Sequence, residues 1–116
     1  MQPLIAIVAS GFNVSGDIDL TKRRLEAIFC PVISSATALM IQGNVDATSA
    51  NFARVRDFRS TPMSGDLQFI VAAGSSYVMM PAGFLTPAYA RIELGMIVNS
   101  LQTDNRTFVL QTSRRQ

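Results

Sequence analysis

Short apolar runs, punctuated by Gly, Pro, Asn, Asp and Ser, follow one another along the whole chain. Ile18 and Leu20 alternate with Asp17, Asp19 and Thr21. Leu25, Ala27 and Phe29 continue one side of the next run until Pro31 interrupts it. "ATALMIQGNV" is apolar and β-branched, and Gly43 is expected to close it. Leu67, Phe69 and Val71 alternate before the small-residue turn "AAGSS", and "SYVMMP" stops at Pro81. Ile92 and Leu94 stand against Arg91 and Glu93, and Phe108 and Leu110 stand against Thr107, Val109 and Gln111. Short alternating runs with turn chemistry about every 8–12 residues predict an all-β sandwich or barrel. Phe52, Phe69, Ile92 and Phe108 are its expected core.

Two segments compete as helices, "LTKRRLEAIF" and "PAYARIELGMIVNSLQ". In the second, Tyr89, Ile92, Met96 and Ile97 fall near helical spacing, but Gly95 and the β-branched pair Ile97–Val98 favour strand. The expectation is therefore an antiparallel sandwich over residues 17–116. Residues 1–16 sustain neither period, so they form either an N-terminal arm against a neighbour or a first strand. In the arm reading, Leu4, Ile5, Ile7 and Val8 bind a partner.

The stretch "NVDATSANFARVRDF" also breaks period. Strict alternation places Phe52 on one face with Arg54 and Arg56. One extra residue in the strand would instead turn both Phe52 and Val55 toward the core. The bulged strand is the expectation, after a turn at 46–50. Arg54, Arg56 and Arg59 then project outward, where they can pair with carboxylates of a partner.

Composition narrows the chemistry more than it extends it. The 116 residues have the length of one domain, and 48% apolar content suffices for a core. Charged residues make up only 16%, and nine of the ten cations are Arg. Sparse charge biased to Arg suits protein contacts, because interfaces favour Arg over Lys. A net charge of +2 points to neither nucleic acid nor membrane. The apolar run Leu4–Ala9 is too short for an export signal or a membrane span. Synthesis in a cytoplasm is the resulting expectation.

With no histidine, the chain cannot supply an imidazole base, a Ser-His pair or a histidine metal ligand. Cys30 is the single cysteine, and it reads as a small core or interface residue. Lys22, the single lysine, sits beside Arg23 and Arg24, where a solvated turn is the expectation over a Ser-Lys catalytic pair. Asp46, Ser49, Asn51, Asp104 and Asn105 offer oxygen donors for calcium, but the same residue types are ordinary turn formers. Neither an enzyme nor a cofactor or metal is expected.

The run from "LTKRRLEAIFC" through "DLQFIVAAGSSYVMMP" and "YARIELG" to "NRTFVLQTS" resembles a group of small tailed-phage virion proteins. The likeness rests on Gly43, Asp46 and Phe52, then Gly74, Pro81 and Arg91, and finally Arg106, Phe108 and Leu110, over Ile18 to Ser113. It implies a jelly-roll-like sandwich without enzymatic activity. The implied role is a capsid decoration or cement protein on the virion surface, bound to the major capsid protein or another virion protein. Sparse charge and an apolar arm predict a homo-oligomer, a trimer or dimer. A receptor-binding or carbohydrate-binding module of a tail or fibre is the alternative. The punctuation also resembles discoidin-like carbohydrate-binding sandwiches, but tryptophan and paired cysteines are missing.

Overall fold

The computed structural model describes residues 2–33, 38–45, 51–57, 59, 65–71, 75–95 and 101–115. Its strands are β1 (Leu4–Val8), β2 (Ile18–Asp19), β3 (Arg23–Cys30), β4 (Ala38–Asn44), β5 (Ala53–Arg54), β6 (Gln68–Ile70), β7 (Ser76–Met79), β8 (Tyr89–Gly95) and β9 (Arg106–Arg114). No α-helix occurs among the described residues. Neither rival segment is helical where it is described: Arg23–Phe29 belongs to β3 and Tyr89–Gly95 to β8, with turn or coil beside them.

The strands form two antiparallel sheets. One has the order β1-β9-β3-β7; the other runs β2-β8-β4, with β5 and β6 sharing the far edge of β4. The inward phase of each strand meets the inward phase of the opposite sheet. Val8, Leu25, Ile28, Cys30, Val78, Phe108 and Leu110 from the first sheet join Ile18, Leu39, Ile41, Ala90, Ile92 and Leu94 from the second in one buried cluster. The protein is an all-β sandwich.

Phe108 and Ile92 are in that core as expected, and Phe69 packs half-buried against it. Phe52 is not. Ala53 stands opposite Gly43 and Arg54 opposite Gln42, so this strand alternates without an extra residue. Phe52 therefore shares the outer face with Arg54, and the Arg91 guanidinium lies 4.1 Å from its ring centroid. Val55 alone of the expected pair packs toward the core. Gly43, expected to end its strand, lies within β4. A Cβ there would come within 2.9 Å of the Pro87 Cβ, so the glycine admits a close crossing of the chain.

The bulge occurs elsewhere, in β3, where the pairing with β9 shifts between Leu25 and Ala27. It changes the phase of everything after it. Leu25, Ile28 and Cys30 point into the core, and Phe29 turns outward.

Residues 4–8 take the first-strand alternative rather than the arm. All five pair with β9, from Leu4 opposite Leu110 to Val8 opposite Arg106. The edge of β9 satisfies their backbone groups, which an arm would have to satisfy on a neighbour. Leu4 and Val8 consequently face their own core, and Ile5 and Ile7 face out. From there Gly11, at φ +85°, donates its N–H to the Gln102 carbonyl and leads the chain across to the second sheet. Ser15 then ties it to β8: its N–H donates to the Ile92 carbonyl, and its hydroxyl accepts from the Ile92 N–H. The expected turn at 46–50, Phe58, and the Gly74 turn lie outside the described residues.

Candidate interaction surface

The β3 bulge builds an apolar face on the outside of the first sheet. With Phe29 turned outward, the registers align Ile5 with Val109, Val109 with Phe29, and Phe29 with Tyr77. One row of aliphatic and aromatic side chains thus crosses all four strands. On one side of the row lie Ile7 and Thr107; on the other lie Gln111, Ala27 and Met79. Tyr77 donates its hydroxyl hydrogen to Gln111 Oε1, which fixes the ring beside Phe29. Met79 is 70% exposed, Ile5 62% and Tyr77 53%. These positions carry no charge. Isolated exposed hydrophobics are ordinary on a protein surface, and contiguous patches larger than a few hundred Å² are the ones that mark contact sites.

The sequence-predicted partner residues divide between the two sheets. Ile5 and Ile7 belong to this face, and Leu4 and Val8 do not. The arginines stand on the second sheet or beyond it, and their charges are answered within the chain. Arg54 grips Glu93 with two bonds, Nε to Oε1 at 2.9 Å and Nη2 to Oε2 at 2.6 Å. It also donates Nη1 to Asp66 Oδ2 at 3.0 Å, and Arg56 reaches Asp66 Oδ1 at 3.3 Å. Gln42 Nε2 adds a third donor to Glu93 Oε1 at 2.9 Å. Arg59 pairs with Asp57 at 3.1 Å. Hydrogen bonds from Arg54 hold the Glu93 carboxyl below its ordinary range despite burial, and the same bonds make Arg54 still harder to deprotonate. The side chains of Arg54, Arg56 and Arg59 nonetheless stay 46%, 56% and 52% exposed.

Phe29, Tyr77, Met79 and Val109 escaped the sequence reading. Simple alternation places Phe29 with Leu25, and the short run "SYVMMP" sets no phase for Tyr77. Only the register of the bulge reveals their common face. The charge pattern gave a weak signal, because both "IFC" and "SSYVMM" are free of charged residues.

Among the described residues, no three Cys, Asp or Glu side chains gather as metal ligands. Asp46 and Ser49 lie outside the described residues. Asn105 Oδ1 accepts from the Ser10 N–H at 2.8 Å and so ties its loop to the segment that follows β1. Cys30 is fully buried, and desolvation pushes its thiol up to about 11. A thiolate nucleophile is thereby disfavoured. No family model, curated protein or solved structure matches the chain.

Proposed function

We propose that the protein is a non-enzymatic structural component of a virion, a decoration or cement protein that docks on the capsid through the outer face of its first sheet. The row Ile5–Val109–Phe29–Tyr77 carries this reading, because it is continuous across four strands, apolar and uncharged. The strand order supports it as well. If β5 and β6 are two halves of one interrupted strand, the sheets read 1-8-3-6 and 2-7-4-5. This is the jelly-roll order, an architecture that recurs in viral capsids and in lectins.

Size decides how such a face would work. Four strands and about five residues along each give roughly 19 by 17 Å, or about 300 Å². A stable interface needs about 800 Å² from each partner. The face is therefore suited to weak contacts made many times over on a repeating shell, where multivalency supplies the affinity. The partner is the major capsid protein or another virion protein, and a dimer or trimer would form by adding contacts beyond this face.

A carbohydrate-binding role in a tail or fibre is the second reading. Phe29 beside Tyr77, with Gln111 and Thr107 at hand, provides aromatic surface and polar donors on which a sugar ring could stack. The experiment that separates them measures cosedimentation with undecorated particles and, in parallel, binding to immobilised glycans. The structural reading expects saturable particle binding that Tyr77→Asp abolishes, and no glycan binding. Glycan binding without particle binding would replace it with the second reading.

A further inference from the structure

We infer that the cleft between the β2–β3 turn and the end of β9 is a binding site for a compact polyanion of the phosphate class. Lys22, Arg23, Arg114 and Arg115, together with Thr21, line this cleft of about 610 Å³. Cavities of about 300–1,000 Å³ are typical for small ligands. Four of the chain's ten cations converge there.

The fold brings these like charges together. Arg23 stands directly opposite Arg114 across the β3–β9 ladder, an arrangement that repels. Among the described residues, none of the four makes an ion pair. Asp19 attracts Lys22 through space, but its Oδ1 accepts from the Thr21 N–H at 2.9 Å and hydroxyl at 2.7 Å. Glu26, further along β3, accepts from Ser113 Oγ at 2.5 Å.

Two of the guanidinium groups are nevertheless fixed in place. Arg23 Nη1 donates to the Gln2 carbonyl at 2.6 Å. Arg115 donates Nε to the Leu20 carbonyl and Nη2 to the Thr86 carbonyl, each at 2.8 Å. Neutral carbonyls hold these groups without cancelling their charge, so part of the ordering cost of binding is already met. The remaining edge of Arg23 is a planar fork that fits an oxyanion, and the exposed side chains of Lys22 and Arg114 add two further charges. Among the described residues no aromatic side chain lines the cleft, and aromatic stacking is what single-stranded nucleic acid uses. The gathering of four cations around one cleft favours a compact ligand over an extended one.

The test is a titration of the isotope-labelled protein with pyrophosphate in low salt, against sodium chloride at matched ionic strength. Saturable amide shifts confined to residues 21–23 and 113–115, with a rise in Tm, are expected. Arg114→Gln should weaken binding about tenfold or more, since a bond to a charged group is lost. It leaves folding alone because Arg114 makes no internal hydrogen bond that the fold needs. Arg24→Gln, outside the cleft, should change affinity less than about twofold. Absence of saturation at millimolar pyrophosphate, or equal effects of the two variants, would overturn the inference. Tighter binding of an oligothymidylate or an oligo-aspartate peptide through the same residues would also overturn it, in favour of an extended polyanion.

Discussion

Arg54 and Glu93 face each other across the outer side of the second sheet in a two-pronged pair, 2.9 Å from Nε to Oε1 and 2.6 Å from Nη2 to Oε2. The pair is lopsided. The Glu93 side chain is almost enclosed, at 9% exposure, and that of Arg54 is 46% exposed. Deleting the arginine strands a buried carboxylate with Gln42 as its remaining hydrogen-bond donor in the network; deleting the glutamate leaves an exposed cation that still holds Asp66. Arg54→Ala should therefore cost about 2–3 kcal/mol and Glu93→Ala about 1–2 kcal/mol, both discounted for the solvent that reaches the arginine. Urea denaturation of the two variants checks the order.

The same pair sets an acid limb. The Glu93 carboxyl is held below its unfolded value, so its stabilisation is fully present above that value, near pH 4.5. It is lost as pH falls through the lower folded value. Glu93→Gln should flatten the decline in Tm measured between pH 5 and pH 2, and should leave the slope above pH 6 unchanged.

Alternate residues of β1 should behave in opposite ways. Val8→Asp places a charge in the core and should unfold the domain or cost more than about 4 kcal/mol. Ile7→Asp, one residue earlier on the outer face, should stay within about 0.5 kcal/mol. Deleting residues 1–10 should lower Tm sharply, because it uncovers the edge of β9 beside Phe108 and Leu110. A truncated protein that melts like the full chain would restore the arm.

Phenylalanine positions separate core from surface in the same way. Phe108→Ala should cost about 3–5 kcal/mol. Phe52→Ala removes a ring held beneath Arg91 on an outer face and should cost about 1 kcal/mol. Denaturant midpoints of the two variants, with m held constant, provide the comparison.

Alternation alone identified the strands around Ile92 and Phe108, because each spans a full inward phase against a polar one. Simple alternation also described Phe52, Arg54 and Arg56 correctly, and the bulge invoked to bring Phe52 inward was unnecessary. A real bulge, between Leu25 and Ala27, left no local mark in "RLEAIF". It is set by pairing with β9, some eighty residues later, so the outward turn of Phe29 was invisible to any local period. β1 was ambiguous for a similar reason. "LIAIV" can pair with any free edge, and the topology alone says that the edge belongs to β9.

The central claim is that the outer face of the first sheet binds a repeating protein shell. Cosedimentation with undecorated particles tests it most directly, comparing the parent chain with Phe29→Asp and Tyr77→Asp after circular dichroism has shown all three folded. The account predicts saturable binding of the parent at a copy number commensurate with the lattice, and at least tenfold weaker binding of both variants. Undiminished binding of the folded variants, or no binding of the parent, would contradict it.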